Sequence, residues 1–344
     1  CMAAPGELAK VLAKAGTTTI IADPHEIVNV SGTKGMDYFL KCAAKLLVNV
    51  FFMVPSAVPA TDVETNGCGE FLASDMMKYV DNARVLGLGE TMRFMECCEG
   101  EKRMADKLEL FAKKHIDGHA PGIRGKEVQA YRLAGVENDH ECSTAEEVLD
   151  KLRAGLHIYV REGSGAKNLE TLIKTMLDAG VCLDRCAFCT DDKHVEEIRK
   201  EGHISTCIRK AIALGVPVAK AYKMGSYQAA EFYGLKNYGA IGAGYRADIV
   251  FLDDLEQVRP LDVMKDGRIL TEEDYAKDYS VPVPDELLHT VHVGEVTKEK
   301  IRLSCDGKTD VIQMNPHQIV TTHLVEEVPT ENGYFKSDLS LIHI

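Results

Sequence analysis

Short β-branched runs alternate with amphipathic helical stretches over the first two thirds of the sequence, which restricts the chain to an α/β fold built on a parallel sheet. TTTIIA from Thr17, LLVNVFFMV from Leu46, VLGLGE from Val85, HIYVRE from His157 and RCAFCTD from Arg185 read as strands, apolar on both faces as buried parallel strands are. Helices are predicted for TKGMDYFLKCAAKL from Thr33, TAEEVLDKLRAG from Thr144, NLETLIKTMLDAG from Asn168 and HISTCIRKAIALG from His203. Gly155, Gly180 and Gly215 stand where a helix end must turn left-handed, and Thr144 with Glu147 has the spacing of a capping box. IDGHA from Ile116 and ENDHE from Glu137, each followed by helical sequence, complete the alternation.

The polar residues separate an open sheet from a closed one. Nearly every strand ends in chemistry: DPHE after Ala22, Glu90 in GET, His119 in GHAPG, His140 in DHE, Arg161 in REGS and Asp191 in TDD. Six ends converging on one mouth favour a (β/α)8, TIM-like barrel, because an open sheet offers a crevice only at its switch point. About seven βα units are present where a closed barrel needs eight, and the sequence opens on a helical segment, PGELAKVLAKAG from Pro5. The expected architecture is a barrel over residues 1–240 lacking its first strand. Residues 241–275 follow as a small β module with turn signals at Asp253 and Asp266. Residues 276–344 form an α+β region with strand-like DVIQM from Asp310 and QIVTTHLVEEV from Gln318. Its last residues, DLSLIHI, show no cap or turn, and truncation is expected there too.

A chain of 344 residues with 45% hydrophobic side chains can bury a large core. A net charge of -13 without a Lys/Arg cluster argues against a nucleic-acid reader and fits a neutral or cationic small substrate. The eleven cysteines are odd in number and sit in apolar or helical runs such as those of Cys42, Cys182 and Cys186. They argue against a disulfide framework and for a reducing compartment. No run approaches the roughly 18 apolar residues of a membrane span, and CMAAPGELAK lacks a signal-peptide layout. A cytoplasmic protein without membrane partners is expected.

Glu90, His119, His140 and Asp191 come from the ends of different strands. Imidazole nitrogens and hard carboxylate oxygens meeting in one cavity form a ligand set for Zn, Mn, Fe or Co in a hydrolytic centre. A carboxylate beside water activated by such a metal can take its proton and return it to a leaving group, and Asp191 is the candidate. Asp192 and His194 flank it in the same turn.

GTTTIIADPHEIVNV from Gly16, NVFFMVPSAVPATDVET from Asn49, LGLGE from Leu86, IDGHAPG from Ile116, DHECST from Asp139, REGSGAKN from Arg161, CTDDKH from Cys189 and GYRADIVFLDDL from Gly244 together resemble the bacterial adenine deaminases, a family of the amidohydrolase superfamily. HQIVTTHLVEEVP from His317 resembles that family's extra C-terminal domain. The resemblance implies two divalent metal ions, Mn or Fe with Zn compatible, in an amidohydrolase barrel. Glu90 would bridge them, His119 and His140 would bind one, and Asp191 would be both ligand and base. The family's first strand carries a His-x-His pair; none occurs here, His289 and His292 having the wrong spacing, and the chain reads as a fragment beginning after it. The implied reaction is hydrolysis of adenine to hypoxanthine and ammonia, a purine-salvage step. Glu141, Glu162 and Glu26 are candidates to protonate the ring, with Glu141 carried as the catalytic one. His25, Arg161, Glu162, Ser164 and His203 are the candidate substrate contacts, and a homo-oligomer is compatible with the pattern. Alternatives are another amidohydrolase acting on a cyclic amide or amino-heterocycle, and a metal-free, non-catalytic relative. The zinc site of cytidine deaminases is excluded, since Cys186 and Cys189 lie within a strand without the H-x-E context.

Overall fold

Seven strands run parallel and in sequence order: β1 Thr19–Ala22, β2 Asn49–Val54, β3 Val85–Thr91, β4 His115–Gly118, β5 Asn138–Asp139, β6 His157–Arg161 and β7 Cys186–Cys189. They are defined in a computed structural model that describes residues 3–336. The sheet is continuous in β1–β4 and again in β5–β7. Between those parts Glu137 N donates to Ile116 O at 3.0 Å and Gly118 N donates to Asn138 Oδ1 at 3.0 Å, so β5 stands beside β4.

Every run expected as a strand in this region forms one. The parallel pairing follows from the helices between successive strands, which return the chain to the same edge direction. The capping box at Thr144 is present: its hydroxyl accepts from Glu147 N at 3.3 Å and Glu147 Oε2 accepts from Thr144 N at 3.0 Å, opening the Ala145–Arg153 helix. Gly155, Gly180 and Gly215 have φ of 85°, 61° and 102°, each just past a helix end. The helix expected from Thr33 instead starts at His25 and runs to Ala43, bent where Gly32 leaves helical geometry with φ 57° and ψ -138°. Pro24 as N-cap lets it begin directly after β1, eight residues earlier than the expected start.

Two apolar clusters hold the curled sheet. Val50, Phe52 and Leu88 pack with Leu12, Met36 and Tyr131 around β1–β4. Ile158, Val160 and Phe188 pack with Leu172, Met176 and Cys207 around β6 and β7. Each such side chain contributes about 1.5–3 kcal/mol relative to exposure. Among the described residues the parallel strands of the barrel number seven, as counted from the sequence, and β1 and β7 are the edges of the sheet. A cavity of about 600 Å³ opens between them, with Thr17, Asp23, Thr190 and His203 in its wall.

Beyond Gly239, β8 Ile249–Leu252, β9 Pro260–Lys265 and β10 Arg268–Ile269 form an antiparallel sheet in the order β10-β9-β8, with Asp266 and Gly267 in the turn. Further on, β11 Lys308–Met314 pairs with β12 Thr321–Glu327. The residues joining them meet the barrel: His317 O accepts from Lys167 N at 3.1 Å and Gln318 Oε1 accepts from Asn168 Nδ2 at 3.0 Å. The terminal DLSLIHI lies outside the described residues. Among those described, no helix is long and apolar enough to cross a membrane, and the cysteines are free thiols.

Candidate metal centre

The strand ends carry their polar side chains to one mouth. Glu90 is the penultimate residue of β3, His119 follows β4, His140 and Glu141 follow β5, Arg161 ends β6, and Asp191 lies two residues past β7. Glu90 Oε2 stands 3.0 Å from His119 Nδ1 and 3.7 Å from His140 Nε2. Glu141 Oε1 is 3.8 Å from His119 Nδ1 and 3.3 Å from His140 Nε2. The imidazoles meet edge to face with centroids 5.3 Å apart. Arg161 Nη1 bridges the Glu141 carboxylate and Asp191 Oδ2, the latter at 2.7 Å. Asp191 has φ 53°, in the left-handed region that short polar side chains tolerate, and Asp192 N donates to its Oδ1 at 2.8 Å.

Three groups of donor atoms, each with all members within 4.8 Å of one another, occur here: Glu90, His119 and His140; Asp23, His25 and Glu90; and His140, Glu141 and Asp191. The second reaches toward β1 through Asp23, whose Oδ2 accepts from Glu90 N at 2.9 Å and whose Oδ1 lies 3.7 Å from His25 Nδ1. This approach depends on Gly89, since a Cβ there would lie 2.2 Å from Asp23 Oδ2.

Acid outweighs base at the mouth, and the protonation equilibria record it. Burial disfavours charge on Glu90, yet His140 and His119 hold its carboxyl far below the usual range. Burial likewise opposes a charge on His140, but Glu90, Glu141 and Asp191 raise its basicity. His25 is pushed up to about 10, Asp23 and Glu90 outweighing its burial. Burial raises Asp23 to about 6 despite His25.

The donor set fits a divalent ion. His140 Nε2 is buried without a hydrogen-bond partner, as are Asp23 Oδ1 and His25 Nδ1, and all three border the nitrogen and oxygen donors just described. Neutral imidazole and carboxylate together suit a borderline or hard cation. Glu90, His119 and His140 would hold it.

The other expected site residues are engaged by neighbours. Ser164 donates to the Glu197 carboxylate and accepts from His194 N at 2.9 Å, so it ties the loop after β6 to the start of the Val195–Glu201 helix. Glu162 is buried and pairs with Lys210 Nζ at 2.5 Å. His203 lines the cavity with both ring nitrogens engaged, Nδ1 at 3.0 Å from Thr17 Oγ1 and Nε2 at 3.0 Å from Thr190 Oγ1. Two acids escaped the sequence reading. Asp23 was visible in DPHE at a strand end, where its carboxylate had the same claim as the histidine two residues on. Asp117, raised to about 7 by burial, accepts from Asn138 Nδ2 and, at 2.8 Å, from Tyr233 OH. Nothing local marks it, because Tyr233 is 116 residues away.

A parallel curled α/β sheet carries an acidic, histidine-bearing mouth, and the Amidohydrolase family profile matches residues 2–270, so the chain belongs to that family. Enzymes of this family hydrolyse C–N and related bonds and generally use divalent metals. The chain is 42% identical over 335 residues to the adenine deaminase of Desulfitobacterium hafniense (strain Y51), covering 97% of this chain and 58% of that protein. It is 41% identical over 338 residues to adenine deaminase 2 of Carboxydothermus hydrogenoformans, covering 98% of this chain and 59% of that one. The chain thus spans about 58% of the length of such relatives. A crystal structure of an adenine deaminase superimposes with a TM-score of 0.53 at 17% identity, covering 74% of this chain and 78% of that one, a likeness of fold alone.

Proposed function

We propose that this chain carries most of the barrel of an enzyme that hydrolyses adenine to hypoxanthine and ammonia. The single observation behind the reading is the meeting of Glu90, His119 and His140 within 4.8 Å at the mouth, with Asp191 joined to the same group through His140 and Glu141. The 42% identity to an adenine deaminase supports the choice of substrate.

A divalent ion held by Glu90, His119 and His140 would lower the pKa of water toward about 7, so that its proton is easily given up. The chain's own residues do the rest. Asp191, oriented by Arg161 at 2.7 Å, takes the proton from the attacking water and delivers it to the departing amino group. Glu141, 2% exposed and bound by the same Arg161 Nη1, stands as the acid for the purine ring nitrogen. Water adds at C6, the exocyclic C–N bond breaks, and ammonia leaves with hypoxanthine as the second product. His25 and Arg161 border the substrate in this reading. Glu162, Ser164 and His203 act one layer out, through Lys210, Glu197 and the threonines they bind. Mn or Fe is the proposed metal, the cytoplasm the proposed location and purine salvage the proposed role. Residues 1–240, 241–275 and 276–344 are the proposed barrel, β module and C-terminal unit.

The test is ammonia release, measured with Mn²⁺-loaded protein expressed from the complete reading frame. Adenine as the preferred substrate supports the proposal. Turnover of hydantoin or dihydropyrimidine without turnover of adenine would overturn it.

A further inference from the structure

The ammonium group of Lys151 is fully buried, a costly place for a charge in a helix whose other basic residue in that turn, Arg153, is exposed. Lys151 Nζ donates to Asp139 Oδ1 at 2.9 Å and to Ala120 O at 2.7 Å. Asp139 in turn accepts from Ala120 N at 2.9 Å through Oδ2 and from Glu141 N at 2.8 Å through Oδ1. Ala120 directly follows His119, while Asp139 and Glu141 flank His140. One ion pair therefore grips the backbone beside both imidazoles. One turn earlier on the same helix face, Glu147 reaches the same two loops, accepting from Gly122 N on one side and from Ser143 N at 3.0 Å on the other. His119 N donates to Tyr131 OH at 2.9 Å, and that hydroxyl donates to Thr91 O at 2.9 Å, which ties the first imidazole back to β3 beside Glu90.

A buried pair of this kind adds little net stability, because desolvation offsets its attraction, and an apolar pair of similar volume often folds as well. What an apolar pair lacks is the set of directed bonds to Ala120 and Glu141. We infer that Lys151 is a positioning residue: its ion pair with Asp139 fixes the separation of His119 and His140 and thereby sets the affinity of the centre for a divalent cation. The inference rests on the reading that these two histidines hold a cation, and supports outside the ligands themselves commonly set affinity in metal sites.

The experiment titrates Mn²⁺ into metal-stripped protein, following free Mn²⁺ by EPR, with thermal unfolding of each metal-free sample in parallel. Lys151→Met is expected to weaken Mn²⁺ binding about 10–100-fold and also to destabilise, since it strands Asp139. The double variant Lys151→Met/Asp139→Asn removes the stranded charge. It is expected to regain most of the thermal stability while keeping the weakened affinity, and it carries the test if the single variant does not fold. A double variant that binds Mn²⁺ with wild-type affinity, whatever its thermal stability, would overturn the inference. Failure of the wild-type protein to bind Mn²⁺ at all would overturn the cation reading and this inference with it.

Discussion

The carboxylate of Asp23 fills the space that a side chain at position 89 would need: a Cβ on Gly89 would lie 2.2 Å from Asp23 Oδ2. The close approach lets that oxygen accept from Glu90 N at 2.9 Å and so couples the end of β1 to the residue at the middle of the candidate centre. Gly89→Ala is expected to destabilise by about 1–3 kcal/mol, the usual cost of overpacking. Adding Asp23→Ala to it is expected to restore part of that loss by vacating the space. Chemical denaturation of the two variants checks this, and a Gly89→Ala protein within about 0.5 kcal/mol of wild type would show that the contact is not enforced.

Glu90 faces both imidazoles, at 3.0 Å from His119 Nδ1 and 3.7 Å from His140 Nε2, so a cation bound there binds only the folded chain. At a free Mn²⁺ concentration of about 100 times Kd, the linkage relation gives about 2.7 kcal/mol of added stability. Thermal unfolding with and without Mn²⁺, after chelation, is expected to show an upward shift for the wild type. Glu90→Gln removes a charged ligand and is expected to abolish most of that shift. An equal shift in both proteins would place the ion elsewhere.

The barrel portion of this molecule was legible because its information is local. A β-branched run flanked by turn residues, the Thr144–Glu147 capping box and the glycines at 155, 180 and 215 each act within a few residues of themselves. The strand-end rule then brought Glu90, His119 and His140 together without any knowledge of distance, since a parallel barrel points all such ends one way. What stayed hidden is non-local. Lys151 reads from its helix as an ordinary surface lysine, and only the packing of that helix against the loops after β4 and β5 puts its charge inside. The Gly89–Asp23 contact joins residues from β3 and β1. His203 was read as facing substrate, but its ring is held between Thr17, 186 positions away, and Thr190, so its bonding depends on how the two sheet edges approach.

Asp191 is 31% exposed at the side chain; its Oδ2 accepts from Arg161 Nη1 at 2.7 Å and its Oδ1 from Asp192 N at 2.8 Å, and it stands in one donor group with His140 and Glu141. If it moves the proton of the attacking water, Asp191→Asn keeps the shape and removes the base. Turnover of adenine is expected to fall by about 10²–10⁴-fold, while Mn²⁺ content, measured by elemental analysis, stays at the wild-type level because Glu90, His119 and His140 remain. Activity within about tenfold of wild type, a difference of only about 1.4 kcal/mol, would assign the proton transfer to another group, with Glu141 next in reach of the same guanidinium.

His203 makes the pH dependence of stability predictable in sign. Its ring is buried between the Thr17 and Thr190 hydroxyls, which satisfy a neutral imidazole by accepting from one nitrogen and donating to the other. Burial, with the nearby Lys193 ammonium adding to it, holds the folded-state pKa down to about 3. In the unfolded chain the same ring titrates near 6.5. Between those values the unfolded state binds a proton that the folded state refuses, so stability rises with pH. The contribution is complete above about pH 6.5 and is lost as pH falls toward about 3, at up to about 1.4 kcal/mol per pH unit. His203→Gln supplies a donor and an acceptor but does not titrate. Urea unfolding at pH 6.5 and pH 5 is expected to show the wild type losing about 2 kcal/mol more than this variant over the interval. Identical losses in the two proteins would mean that His203 takes up its proton while folded, and that the threonine clamp between the two sheet edges does not depend on a neutral ring.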